Sequence, residues 1–301
     1  MTDLVVRRMS FEFDRTVPFL WQPANPRFAI FCNAFTFIAV PFEKYIIAAL
    51  REAGDRLDDP EVAAEADAFL RQEAQHAAAH RKHMLALIEQ YPGLECCYEE
   101  TMASYQQLIA AHPVEFHAAY IANLEATFTP MFKVILDHRD SLFGGGDQRV
   151  AALMLWHFVE EIEHRSSGLK LCRHLVPDPW YRVKRVRQTF RHTGFIANTV
   201  AKAFDQHIPL RDRALSAERV MEDALRTEFR YRLGRTATKP VFHAVPTGRL
   251  LRMLWGLAIS QTPHHDPADQ PLPEWAGTWM AEYDRGTDMT TFDPMRSDPD
   301  C

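Results

Sequence analysis

Residues 156–165 read WHFVEEIEHR, and the fold turns on whether this stretch is a helix whose polar stripe faces inward. At about 100° per residue, His157, Glu161 and His164 fall within roughly 60° of one another, while Glu163 points well away. Phe158 and Ile162 flank the stripe, and Leu153 and Leu155 precede it. Two imidazoles and a carboxylate among such neighbours predict a polar cluster taken out of water, which is costly unless every group finds a partner. A metal ion is one such partner, provided the rest of the chain supplies further ligands.

Outward from this stretch the same helical period recurs, and alternating β-branched runs are scarce, so the expected fold class is all-α. A first apolar run spans 27–54, with Pro41 inside it predicting a kink or break just before Glu43. A second spans 60–93, opened by Asp59-Pro60 as cap and first-turn proline and closed by Pro92-Gly93. After a connection with a shorter helix at 96–112, a third run spans 113–140 and a fourth 147–176. The order is helix pair, connection, helix pair. Further on, 180–207 reads as a basic amphipathic helix and 216–234 as another, followed by a loop-like 262–275 and a polar tail from about 285. Three parts are expected: an extension at 1–26 packed on the core, a four-helix core at 27–177, and a helical extension with a tail at 178–301 belonging to the same domain.

Each core run carries carboxylates or histidines in an apolar setting. The first has Glu43 in VPFEKYII, and the second has Glu73 and His76 in RQEAQH. The third has Glu125 in YIANLEATF, and the fourth has Glu161 and His164 in EIEH. One Glu from each of two helices, with a Glu-x-x-His from each of the other two, is the ligand arithmetic of a dinuclear carboxylate bundle. The three-residue spacing puts each Glu and His on adjacent turns of one face. Four glutamates neutralise the four charges of two divalent ions, and carboxylates with imidazoles suit iron, with manganese or zinc as alternatives. A lone Glu-x-x-His arises often by chance in a chain with 14 histidines; two copies, each preceded by an embedded Glu, are far harder to obtain so. The competing reading is a bundle whose core polar groups pair with one another.

Bulk properties narrow the classes. At 301 residues and 47% apolar composition the chain can bury a large core, and its net charge of −6 gives no general attraction to nucleic acid. Five scattered cysteines, Cys32, Cys96, Cys97, Cys172 and Cys301, form no CxxC and suggest a reducing compartment. With no leader-like segment and no long uncharged apolar run, the expectation is a cytoplasmic protein without a transmembrane segment. Cysteine is absent from the polar stripe, which argues against structural zinc or iron–sulfur clusters.

The core at 27–177 resembles the ferritin-like di-iron superfamily, and the whole chain is similar to a bacterial family of predicted metal-dependent hydrolases. VVRRMSFEFDRTVPFLWQ, RQEAQHAAAH and WHFVEEIEH carry that likeness. His157-x-x-x-Glu161-x-x-His164 further resembles the ligand pattern of arylamine N-oxygenases, a likeness limited to that pattern. It implies His157 as an additional ligand, making the set Glu43, Glu73, His76, Glu125, His157, Glu161 and His164. His80, one turn beyond His76, competes as a ligand or a proton shuttle, but is better read as a partner behind a ligand, and Glu160, bordering the stripe, reads as another such partner or as exposed. Glu163 and His83 read as solvated, Tyr45, Tyr120 and Trp156 as core packing, and His264, His265 and Asp266 as an exposed turn. Arg182, Lys184, Arg185, Arg187 and Arg191 read as a solvated face or subunit contact, with Val183, Val186 and Phe190 as the buried edge; an anionic membrane, carrier or phosphate is the alternative.

Four functions follow. The resemblance favours a non-haem di-iron oxygenase or oxidase that uses O2 on a small organic substrate, in its specific form the N-oxygenation of an amine. The family description favours dinuclear hydrolysis, although no Asp-rich or His-x-His motif is present. Iron oxidation or storage without further catalysis, and a metal-free helical binding protein, complete the set. Substrate, electron donor and oligomeric state are open, with a homodimer among the options.

Overall fold

The computed structural model describes residues 4–268 and 270–292, and among these the protein is all-α. The helices are α1 (Pro26–Ala53), α2 (Pro60–Gln90), α3 (Leu94–Ala111), α4 (Val114–Asp137), α5 (Arg139–Phe143), α6 (Gln148–Glu163) and α7 (Ser167–Leu175). They continue with α8 (Pro179–His207), α9 (Leu210–Arg213), α10 (Ala217–Glu222), α11 (Ala224–Arg232), α12 (Thr247–Ser260) and α13 (Glu274–Asp284). Local chemistry sets the starts of the long ones. Asn25, Asp59 and Asp178 each cap a helix whose first residue is proline, their side chains accepting from the backbone N–H of Phe28, of Glu61 and Val62, and of Trp180. Asp147 caps α6 in the same way, accepting from Arg149 and Val150.

Side-chain pairs fix the direction of each core helix. Thr36 meets His80 while Glu43 lies with His76, so α1 and α2 run antiparallel. His76 meets Glu160 while His80 meets His157, which makes α2 and α6 antiparallel. Glu125 faces His164 while Phe132 stacks on Phe158, and Tyr45 meets His117 while Phe35 meets Phe132. The four helices therefore close a ring in the order α1, α2, α6, α4 with alternating directions. In this ring α2 and α4 lie diagonally and run the same way, which a short loop cannot join. The 18-residue α3, about 27 Å long, lies outside against α1 and α8 and carries the chain back to where α4 starts.

The apolar core falls into two main parts. One gathers Trp21, Phe28, Phe37, Phe132, Phe158 and Phe204; the other gathers Phe42, Tyr45, Phe69, Tyr105, Phe116 and Tyr120. Between them, at the level of Glu43, Glu73, Glu125 and Glu161, the buried residues are polar. Phe11, Val17, Phe19 and Trp21, from the non-helical chain ahead of α1, are buried against this core, with Phe11 packed on Trp156. The window within Pro26–Arg56 that is long and apolar enough by composition to cross a membrane is 72% buried inside the protein, as befits a core helix.

Several boundaries differ from the sequence reading. Pro41 does not break α1: the hydrogen bond it forfeits is outweighed by burial of Phe37, Val40, Phe42 and Ile46 around it. The fourth run is two helices, since His164 takes φ −90 and ψ 14 and ends α6. The expected helix at 216–234 is likewise divided, between α10 and α11 at Asp223. The loop-like stretch lies between α12 and α13, its last two residues opening α13, and Phe292, in the expected polar tail, is buried against Phe143. Cys301 lies outside the described residues.

Helix α12 reaches α4 through Gly256, where an added Cβ would sit 2.8 Å from Cβ of Pro130. A proline ring inside a helix cannot yield, so Gly256→Ala should force α12 outward. The expected cost of about 1–3 kcal/mol for overpacking exceeds the roughly 1 kcal/mol that alanine gains in helix propensity. Denaturant unfolding of the two proteins side by side checks this; an equal or higher midpoint for the variant contradicts the contact.

Candidate metal centre

The polar layer is assembled from facing turns of α1, α2, α4 and α6. Glu73, His76, Glu161 and His164 each offer a ligand atom such that all four atoms lie within 4.8 Å of one another, and Glu43, His76 and His157 form a second group by the same measure. His76 belongs to both. Glu125 belongs to neither, but its Oε2 is 3.4 Å from Nδ1 of His164, whose Nε2 is 3.2 Å from Glu73. The structure thus brings together all seven residues expected as ligands from the sequence. Gly168 lets α7 sit beside this layer, since a Cβ there would come within 3.0 Å of Cγ of Glu125.

Both carboxylate oxygens of Glu43, Glu73 and Glu125, Oε2 of Glu161, Nδ1 of His76 and both ring nitrogens of His164 are buried without a hydrogen-bond partner. Buried polar atoms are nearly always partnered, because an unmet one forfeits its hydration. A collection of carboxylate oxygens and imidazole nitrogens aimed at shared space is what divalent ions such as iron or zinc take, so the residues fit a metal pair.

Behind this layer the imidazoles are held in place. His76 turns Nε2 to Oε2 of Glu160 at 2.9 Å, which leaves Nδ1 facing Glu73 at 3.8 Å and Glu161 at 3.6 Å. Glu160 in turn accepts from Arg7 at 3.1 Å, and Arg7 reaches Glu163 through both terminal nitrogens at 2.7 and 2.9 Å. Gln72 donates to the same Glu163 carboxylate. On the other side, His157 meets Glu161 through Nε2 at 2.9 Å and His80 through Nδ1 at 3.0 Å. Thr36 then links His80 to His83. Carboxylates and hydroxyls placed behind imidazoles in this way orient the ring and set which nitrogen is free.

Electrostatics follow from burial. It lifts the carboxyls of Glu43, Glu73 and Glu161 well above the usual range, and their mutual repulsion, together with that of Glu125, adds to the effect. It also drives His76, His80 and His157 well below the ordinary imidazole value. For His164 burial acts in the same sense, but the carboxylates of Glu161 and Glu125 outweigh it and bring the ring up to about 9. Burial takes Glu160 up to about 7 against the pull of Arg7.

Some residues depart from their sequence reading. Glu163 and His83 are not solvated: Glu163 is clamped by Arg7, and His83 is fully buried beside Thr36 and Phe13. His265 is buried, although His264 and Asp266 of the same turn are exposed. Arg182 is buried too, donating to Asn123 and to the carbonyls of Ser260 and Thr262, so it ties α8 to α4 and α12. The rest of the basic run stays outside, with Lys184, Arg187 and Arg191 exposed. Its expected buried edge is displaced: Phe190 is exposed, and Thr189 and Ile196 are the residues that go inward. Sequence reasoning missed Arg7 and Thr36. Arg8 beside Arg7 is exposed, and one basic residue cannot be told from its neighbour in an extension without a periodic pattern.

Two outcomes are expected. Without metal, Glu43, Glu73, Glu161 and His164 bind protons more tightly folded than unfolded, so stability is lost as pH rises above about 4.5 for the carboxyls and above 6.5 for His164. His76, His80 and His157 bind them less tightly, so stability is lost as pH falls below 6.5. Chelated protein should therefore melt highest between about pH 4.5 and 6.5, and added divalent metal should shift that optimum upward. A chelated protein that keeps gaining stability to about pH 8 contradicts the buried cluster. Separately, Arg7→Met strands Glu160 and Glu163 and should cost about 3–5 kcal/mol, with metal affinity falling about 10–100-fold as His76 loses its support. Unfolding curves and competition against a chelator measure the two effects.

No curated protein and no solved structure matches the chain. A family model described as "Predicted metal-dependent hydrolase" matches residues 5–248, a span that includes Arg7 and the whole polar layer. The chain belongs to the predicted metal-dependent hydrolase family.

Proposed function

We propose that this protein is a ferritin-like, non-haem di-iron oxygenase or oxidase that uses O2 to act on a small organic substrate. The observation that carries the reading is the layer of four buried glutamates, of whose eight carboxylate oxygens all but Oε1 of Glu161 lack a hydrogen-bond partner, set beside His76, His157 and His164. Glu43, Glu73, His76, Glu125, His157, Glu161 and His164 would hold the ions. The alternating ring with one long crossover through α3 supports the ferritin-like assignment, because that architecture uses one such connection. When bound, an iron pair supplies redox chemistry toward O2, and a zinc or manganese pair supplies Lewis-acid activation of water.

The remaining tasks fall to the chain. Arg7 and Glu160 keep Nδ1 of His76 aimed into the layer, and His80 with Thr36 braces His157. Glu43, His157 and Glu161 border a cavity of about 240 Å³, which gives a substrate access to one side of the layer. The extension ahead of α1 and the helices from α8 onward pack against the core, which supports treating all three parts as a single domain. N-oxygenation of an amine is the specific form of the reading and rests on His157 standing among the proposed ligands.

A second reading, metal-dependent hydrolysis, is favoured by the family's description. One experiment separates them. Anaerobic loading with ferrous iron should give about two ions per chain, and admitting O2 should consume it in proportion to the iron. Zinc- or manganese-loaded protein that cleaves esters or amides, with no O2 uptake by the iron form, overturns the oxygenase reading. His157→Ala should lower both iron content and O2 uptake; if neither changes, His157 leaves the ligand set.

A further inference from the structure

The cavity beside the metal layer has a composition that selects its occupant. On one side stand Phe31, Phe35, Ile38 and Phe42 of α1, and opposite them Phe128 and Met131 of α4. No lysine or arginine is among its lining residues, so nothing there compensates an anion. Its two hydroxyls are already committed: Thr127 donates to the carbonyl of Leu124 and Thr193 to that of Thr189. The ionisable groups that reach it are Glu43, His157 and Glu161, all at the floor formed by the metal layer.

Its far side comes from the C-terminal helices. Phe190, Thr193 and Ala197 of α8 and Met221 of α10 complete the wall. Phe190 is 39% exposed, an unusual setting for phenylalanine that a rim position explains. The four-helix ring alone would leave this side of the layer open to water.

We infer that this chamber binds an uncharged, largely apolar organic molecule carrying a single polar group, seated with that group toward Glu43, His157 and Glu161. An anion of the same shape is rejected, because it would surrender its hydration with no donor in the walls to replace it. This inference rests on the reading of the layer as the reaction centre, and it names the class of molecule delivered there.

The test uses the full chain freed of metal by chelation, with 2-naphthol as the neutral probe and naphthalene-2-sulfonate as its anionic counterpart, at neutral pH. Titration followed by probe fluorescence should show saturable binding of 2-naphthol and at least about tenfold weaker binding of the sulfonate, a gap of about 1.4 kcal/mol. Ala39→Trp fills the chamber from α1 and Ala197→Trp from α8, and each should weaken 2-naphthol binding at least about tenfold. Circular dichroism identifies a variant that has lost its helices, and the other variant then decides. Equal affinity for the two probes, or 2-naphthol binding untouched in a folded filled variant, overturns the inference. Iron loading is measured separately on unaltered protein. Lost loading with intact naphthol binding defeats the catalytic reading but not the chamber; intact loading with no naphthol binding does the reverse.

Discussion

Four carboxylates held out of water at one level of a helical ring are the constraint on which the rest of this structure depends. Glu43, Glu73, Glu125 and Glu161 come from four different helices, and each is at most 2% exposed. Charges of one sign at such separations in a poorly polarisable interior repel strongly, so the layer tolerates them only when protons or cations share the space. Protons leave a set of unmet oxygens; two divalent ions satisfy charge and coordination together. The apolar clusters on either side then act as walls that keep water from competing.

This requirement reaches into parts of the chain remote from it in sequence. Arg7 lies 153 residues from Glu160, yet its guanidinium is the ion-pair partner of both Glu160 and Glu163 behind His76. Breaking such a buried pair by removing one partner costs far more than the pair contributes over an apolar replacement, so the extension ahead of α1 is bound to the core by electrostatics as well as by Phe11 and Trp21. The family match begins at residue 5 and runs to 248, so it takes in this clamp, the ring and the α8 and α10 rim of the chamber, though not α12 beyond its first two residues.

Much of the ring was legible in the sequence because its signals are local. The Glu-x-x-His pairs lie within one helical turn, and proline after Asp59 marks a helix start with no help from tertiary contacts. Glu43 and Glu125 needed the set to be recognised, since either alone reads as an ordinary glutamate. What could not be read depends on contacts far apart in the chain. His83 falls on a face that looks solvated until Phe13 of the extension covers it, and Arg182 looks like one member of a basic stripe until Asn123, Ser260 and Thr262 close over it. Pro41 misleads for the same reason: local propensity predicts a break, and packing of the residues around it prevails. The division at His164 is subtler. Periodicity carries straight through Glu163 into Ser167, whereas the close approach of Gly168 to Glu125 belongs to a separate helix that starts at Ser167.

The placement of the chamber bears on which chemistry the layer serves. Hydrolysis consumes water, and a site built for it benefits from an open approach and a nearby base already hydrated. Here the approach is walled by phenylalanines from α1 and α4 and bordered on the far side by α8 and α10. Glu160, whose carboxyl burial lifts to about 7, is turned toward His76 and Arg7. Largely apolar walls suit a nonpolar substrate and O2, which partitions readily into such surroundings. The family's description points to hydrolysis, and the apolar walls of the chamber are the feature that the proposed oxidation draws on.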